Sequence, residues 1–380
     1  MLDTILIFLY FASVLIQLGY SFVFRYRKTC RQTSPADSIK DLPNISLIIC
    51  AKNEAHHLAQ FLPPVLQQEY PGDLFEVIVV NDGSTDTTGK VLNDLALQYP
   101  HLRTITIDPA TVKDIPGKKY ALAKGIAAAR YDRLLLTDAD CRPASPLWLQ
   151  YMVASGKGVV LGYGAYEYQP GLLNRFIRWE TVHTCMQYAG YAAAGLPYMG
   201  VGRNLSYSKS LLAPLDQDKA FQEIYRHTPS GDDDLLIGKI ASKSNSTVCL
   251  DKEAHTISTA QKTWKAWWRQ KTRHASTGKY YAPKIKALLG LYGLSHSLYW
   301  FLGLPLLLFS LANITHPVSG LMIVLFLLRL FLYWLQASNW YRKLGEKKLS
   351  LFYPLGDLGW AMYNVFLSPY ILWKNKQAWK

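Results

Sequence analysis

The chain has 380 residues, half of them apolar and 18% charged, which is room for two or three ordinary domains and excludes a disordered tail protein. Its 25 Gly and 19 Pro show no three-residue period, which excludes a collagen-like chain. Its five Cys include no C-x-x-C pair and no zinc-ligand spacing, so a reducing compartment is the economical reading. The 41 basic against 27 acidic residues leave a net charge of +14, and what that charge is for depends on where it sits.

Leu2 to Phe24 is an apolar run with one charge, Asp3, at its start, sufficient to cross about 30 Å of hydrocarbon as a helix. Arg25, Arg27, Lys28 and Arg31 follow the run instead of preceding it, and no small-residue cleavage site comes after it. Residues 1–24 are therefore expected to be a retained anchor, and residues 25–40 a basic juxtamembrane linker.

Short apolar β-rich runs then alternate with helical segments. Ile45 to Cys50, Val77 to Val80 and Leu134 to Thr137 read as parallel strands buried on both faces; Glu54 to Gln68 and Thr87 to Tyr99 carry helical periodicity between them. That order predicts an α/β domain with a parallel sheet, whose ligands bind at the carboxyl ends of the strands. Polar residues gather at those ends: Ala51 to Glu54, Asn81 to Asp86, and Asp138 to Asp140.

Each cluster has two readings. Asn81-Asp82-Gly83-Ser84-Thr85-Asp86 is a strand-to-helix turn with a cap, or part of a binding loop; no G-x-G-x-x-G and no Walker-type loop accompanies it. Lys118 and Lys119, after Pro116-Gly117, are solvated surface lysines or phosphate ligands. Asp138-Ala139-Asp140 is a pair of turn aspartates, or two carboxylates facing one divalent ion. Met199 to Asn204 is a glycine-containing tight turn or an acceptor loop. Asp232-Asp233-Asp234 is an acidic helix start, or a set of mutually repelling carboxylates in which a raised pKa creates a proton acceptor. His255 is a structural histidine or a metal ligand. The segment from Trp264 through Trp267, Trp268, Gln270, Arg273 and His274 fits a helix in the headgroup layer, and Gln270 and Arg273 share one of its faces.

From residue 287 to 340 the sole charge is Arg329, and the polar loop Asn313 to Ser319 divides the stretch into a transmembrane hairpin. The last apolar stretch, 349–373, contains Pro354, Gly356, Asp357, Gly359 and Pro369, which suits a re-entrant or interfacial pair of short helices better than a plain crossing. Arg329 is expected to pair with Asp357 inside the bundle, and if it does, exchanging the two charges should preserve the pair. The basic clusters all flank apolar segments. They favour a bilayer over nucleic acid as the partner and put the polar region in the cytoplasm.

The ordered series Asn53-Glu54, Val79 to Asp86, Thr137 to Asp140, Asp232-Asp233 and Gln270-x-x-Arg273-His274 resembles family 2 glycosyltransferases over roughly residues 45 to 275. In particular it is similar to the membrane-bound branch of ceramide glucosyltransferases, poly-N-acetylglucosamine synthases, hyaluronan synthases and cellulose synthases. The resemblance implies a GT-A fold at 41–260, an interfacial helix at 261–286, a nucleotide-sugar donor, Mg2+ or Mn2+, and inversion at the anomeric carbon. It implies Asp233 as catalytic base, Asp140 as metal ligand, and Ala51, Asn53, Glu54, Asp82, Lys118, Asp138, Gln270 and Arg273 around the nucleotide sugar. Asn204, Asp232, Trp267 and His274 would lie in the acceptor region, His274 standing where the family usually has Trp. Three expected spans favour a lipid acceptor, and a bacterial inner membrane as location. A processive polysaccharide synthase, acting as an oligomer or with a partner subunit, and an inactive membrane-anchored scaffold are the alternatives.

Overall fold

The computed structural model describes residues 2–25, 42–228 and 230–373. Most of the basic linker, including Arg27, Lys28 and Arg31, and the basic cluster Lys374 to Lys380 lie outside the described residues.

Helix α1 (Leu2–Val23) opens the chain. A seven-stranded sheet follows, built from β1 (Ile45–Ala51), β2 (Phe75–Asp82), β3 (Leu102–Ile107), β4 (Arg133–Asp138), β6 (Val159–Leu161), β8 (Leu205–Ser208) and β9 (Ser246–Val248) in the order β3-β2-β1-β4-β8-β6-β9. Strand β8 alone runs against its neighbours; the pairs β1–β2, β1–β4, β2–β3 and β6–β9 are parallel. A small second sheet sets β10 (Thr256–Ser258) between β5 (Cys141–Pro143) and β7 (Gly164–Tyr166).

Every residue of β1 and β2 is buried, as continuous β-branched runs require when helices cover both sheet faces. On one face Ile45, Leu47, Ile49, Val77, Val79 and Leu135 pack with Leu58, Leu62 and Leu92 from α2 (Ala55–Leu66) and α3 (Thr88–Gln98). On the other, Ile48, Cys50, Ile78, Val80, Leu134 and Leu136 meet α4 (Lys118–Ala128). Gly125 permits that approach, since a Cβ there would stand 2.6 Å from Ile48 Cγ2. Short α5 (Trp148–Val153), α7 (Lys219–His227) and α8 (Asp234–Ile240) complete this part, and α6 (Leu172–Ala193) lies buried along its length between the sheets and the apolar helices.

After α9 (Trp264–Ala275) come α10 (Pro283–Ala312), α11 (Ser319–Lys343) and α12 (Tyr353–Trp373). Among the described residues, α1, α10 and α11 are the three helices long and apolar enough to cross a membrane. The pair of short helices expected at 349–373 is instead a 3-10 turn, Lys347–Phe352, leading into the single helix α12. Its supposed breakers have structural work. Pro354 is in the first turn, where its missing N–H costs nothing, and the bare backbones of Gly356 and Gly359 receive Trp179 and Phe176 of α6.

Arg329 and Asp357 do pair, with both side chains wholly buried. Asp357 also accepts from His296 Nε2 (3.0 Å), Trp300 Nε1 (2.9 Å) and Tyr353 Oη (3.0 Å), and Arg329 donates to Gln17 Oε1 (2.7 Å). The Tyr333 hydroxyl donates to the Gln17 carbonyl at 2.6 Å, so this one polar cluster joins α1, α10, α11 and α12.

Candidate active site

The loops after β1 and β2 are laced together. Asn53, at φ +56°, donates its N–H to Ser84 Oγ (2.9 Å) and accepts the Thr85 N–H on Oδ1 (2.8 Å). Asp86 accepts the first amides of both following helices, Ala55 at 3.3 Å and Thr88 at 3.0 Å, so it caps α2 and α3 at once. Glu54 Oε2 accepts from His57 Nδ1 at 2.6 Å. Asp82 is buried at the end of β2, with Oδ1 on Lys113 Nζ at 2.5 Å and Oδ2 without a partner. Ala51, paired with Asn81, closes β1 beside it.

At the end of β4, Asp138, Asp140 and Cys141 bring three ligand atoms within 4.8 Å of one another. Burial and the charge of Asp138 push Asp140 above the usual carboxylate range. Burial opposes the charge on Asp138 too, but Lys118 overrides it and holds that carboxylate low. Lys118 Nζ pairs with Asp138 and also lies 3.5 Å from Asp232 Oδ2. One ammonium therefore spans the strand-end acids and the acidic run near the start of α8.

In that run the three carboxylates have different surroundings. Asp234 is buried, accepting from the hydroxyls of Thr277 and of Tyr281 (2.6 Å). Asp233 accepts the Asp234 N–H on Oδ1 (2.8 Å) and the Gly202 N–H on Oδ2 (3.0 Å). Burial, then the charges of Asp232 and Asp234, push Asp233 up to about 7. Asp233 thus caps the start of α8 and also carries a raised pKa.

Helix α9 presents Gln270 and Arg273. The Arg273 charge contributes to holding Asp138 ionised, and Arg273 Nη2 is 3.3 Å from the exposed His274 Nε2. Between them in sequence, Lys271 reaches the other way, to Glu180 of α6 at 2.5 Å and 2.7 Å.

The chain is similar to known proteins. The profile described as Glycosyl transferase family 2 matches residues 46–178. The probable glycosyltransferase YdaM of Bacillus subtilis is 30% identical over 302 residues, which cover 75% of this chain and 67% of that protein. The chain is a family 2 glycosyltransferase.

A beta-monoglucosyldiacylglycerol synthase of Nostoc is 31% identical over 108 residues, covering 28% of this glycosyltransferase and 22% of its relative. The mannosyltransferase PcManGT of Pyrobaculum calidifontis, solved with GDP-Man and Mn2+, superposes with a TM-score of 0.57 at 18% identity, covering 94% of this chain and 99% of that one. The fold is thus of the GT-A type, with a mostly parallel central sheet.

Two residues assigned to the acceptor region of this glycosyltransferase are placed otherwise. Asn204 is wholly buried, its amide donating to the carbonyls of Tyr163 (2.9 Å) and Ala254 (2.7 Å) and accepting from Trp148 Nε1 (3.0 Å). It is a core connector because a buried amide must fill its hydrogen bonds. Trp267 is buried against Phe176, Trp268 and Tyr363; Trp264 is the half-exposed indole of α9. His255 bonds the Leu250 carbonyl at 3.3 Å and stands outside the three-ligand group.

Three neighbours of the site escaped sequence reading. Lys113 sits in a loop without a motif. Cys141 directly follows the paired acids, and its Sγ lies 3.5 Å from Asp140 Oδ1. Arg203 occurs inside the Met199 to Asn204 loop, whose sequence points to its glycines and to Asn204 instead. The oxygen-rich pair of Asp138 and Asp140, with one carboxylate raised by the other, suits a hard divalent cation.

Proposed function

We propose that this glycosyltransferase moves a sugar from a nucleotide-diphosphate sugar, UDP-linked in the first instance, to a membrane lipid, with inversion at the anomeric carbon. The observation that carries the reading is the Lys118 bridge between Asp138 and Asp232, because it brings the acids at the end of β4 and the acidic run before α8 within reach of one ammonium. The exposed Trp264, flanked by exposed Lys262, Lys265 and Arg269, supports a cleft rim at the lipid headgroups. The partial match to a glucosyldiacylglycerol synthase supports a lipid acceptor. The bilayer topology that fits this reading leaves the catalytic part in the cytoplasm.

Asp233 takes the acceptor hydroxyl's proton on a carboxylate oxygen, and its position near pH 7 matches that task. As the acceptor oxygen bonds to the anomeric carbon, the bond from that carbon to the diphosphate breaks, and the electron pair leaves with the diphosphate in one in-line displacement. Arg273 and Lys118 offset the charge that develops on it, and Gln270 orients it. Asp140, with Asp138 beside it, would hold Mg2+ or Mn2+, whose chemistry is Lewis-acid stabilisation of the same charge. Asp82 offers its unpartnered Oδ2 to a base N–H, while Ala51, Asn53 and Glu54 line the neighbouring loop.

The test is a panel of radiolabelled nucleotide sugars with lipid extract, the chain in native membranes, and either metal. One lipid-soluble product is expected. A ladder of polymer sizes would instead establish a processive synthase, and neither transfer nor donor hydrolysis would leave a binding scaffold.

A further inference from the structure

We propose that Arg203 is a phosphate-binding residue of the donor site, a second guanidinium that grips the nucleotide diphosphate together with Arg273. The proposal rests on the nucleotide-sugar reading above.

Its placement is unusually constrained for a long side chain. The Arg203 carbonyl accepts from the hydroxyls of Thr137 and Thr256, both at 2.9 Å, which pins the backbone between β4 and β10. The aliphatic stem runs over Gly164, where a Cβ would stand 2.5 Å from Nε and 2.8 Å from Cγ and Cδ. The guanidinium then stacks on Tyr166, 4.1 Å from the ring centroid. Holding Arg in one rotamer costs conformational entropy, here spent before any ligand arrives.

This rigid cation is held beside the end of β4: Thr137, which bonds its carbonyl, directly precedes Asp138, and Ser258, the strand partner of Tyr166, is in turn paired with Cys141. Even so, among the described residues it makes no ion pair and its guanidinium donates no hydrogen bond. Other partly buried arginines do: Arg178 pairs with Glu346, and Arg103 with Glu76 at 2.6 Å. Five fixed donors left uncommitted beside the paired acids match the geometry of a phosphate, which accepts a planar fork on two oxygens. Lys118 is already shared between Asp138 and Asp232, so the diphosphate needs further cations. The adjacent residue, Gly202, holds Asp233 through its N–H at 3.0 Å, so one peptide unit separates a contact to the base from a contact to the leaving group.

The test uses the full-length chain in nanodiscs with Mn2+ and titration calorimetry of UDP against UMP and of GDP against GMP. In the wild type the diphosphate of the preferred base binds more tightly than its monophosphate. Arg203→Met, which keeps an unbranched stem, should shrink that preference by roughly 10- to 100-fold while leaving monophosphate affinity within about twofold. Arg203→Lys, keeping charge without the fork, should fall between. An unchanged preference in Arg203→Met, or equal losses for monophosphate and diphosphate, overturns the proposal. If Arg203→Met does not fold, an undiminished preference in Arg203→Lys overturns it as well. A wild type that binds no nucleotide sinks the nucleotide-sugar reading itself, and this inference with it.

Discussion

Asp233 holds its proton more tightly in the folded chain than an ordinary aspartate does, and that has opposite consequences for rate and for stability. With Asp233 as the base proposed above, the rate needs the ionised form, and transfer should fall about tenfold per unit as pH drops below roughly 7. Stability runs the other way. A carboxyl whose folded pKa lies above its unfolded value favours folding at low pH and loses that contribution as pH rises from the unfolded value toward 7. Asp233→Asn should therefore cost about 10²- to 10⁴-fold in transfer yet melt no lower than wild type at pH 8, measured by thermal unfolding in detergent. A lower melting temperature there would point to the Gly202 contact as the carboxylate's main service. Asp233 was visible in the sequence because like charges packed side by side are conspicuous. Lys113 and Arg203 were not, since a lone cation in a loop acquires meaning only when the fold sets an acid or an open cleft before it.

At the scale of elements, legibility followed length and burial. Strands β1 and β2 stood out as continuous apolar runs, whereas β5, β6, β7, β9 and β10, at three residues each, are too short to show a period. Helix α12 misled for a different reason. Glycine and proline weaken a helix in isolation, but here the two glycines form the seat for aromatic rings from α6, a tertiary gain that local propensity does not record. Gly356→Ala would drive a methyl into the Trp179 indole, whose ring cannot bend away. We expect a loss of about 1–3 kcal/mol in thermal or denaturant unfolding, partly restored by Trp179→Leu in the same chain. No restoration would mean that the two residues are not in contact.

For the molecule as a whole, the Arg329–Asp357 pair was readable as the sole complementary charges among apolar spans, but its surroundings were not. Sequence reasoning leads to recovery when both charges are exchanged. The structure argues against recovery. An arginine at 357 would meet three converging donors, from His296, Trp300 and Tyr353, and an aspartate at 329 would lose the aromatic faces of Tyr299 and Tyr333, 4.4 Å and 4.1 Å from the guanidinium. Asp357→Asn should cost about 3–5 kcal/mol, read as a lower melting temperature in detergent, and the double exchange should melt no higher than that single variant. Full recovery would show that the pair acts alone.

Helix α6 has one flank on the catalytic sheets, where Tyr188 donates to the Gly162 carbonyl at 2.7 Å, and the other on the apolar bundle, where Trp179, His183 and Tyr191 meet Trp360, Tyr292 and Phe24. The catalytic portion is consequently no detachable module. A fragment ending near residue 282 would lay bare a strip of indole, imidazole and phenol rings evolved to stay dry, and should be recovered as aggregate even when the full-length chain, in the same detergent, elutes as a single species from a sizing column.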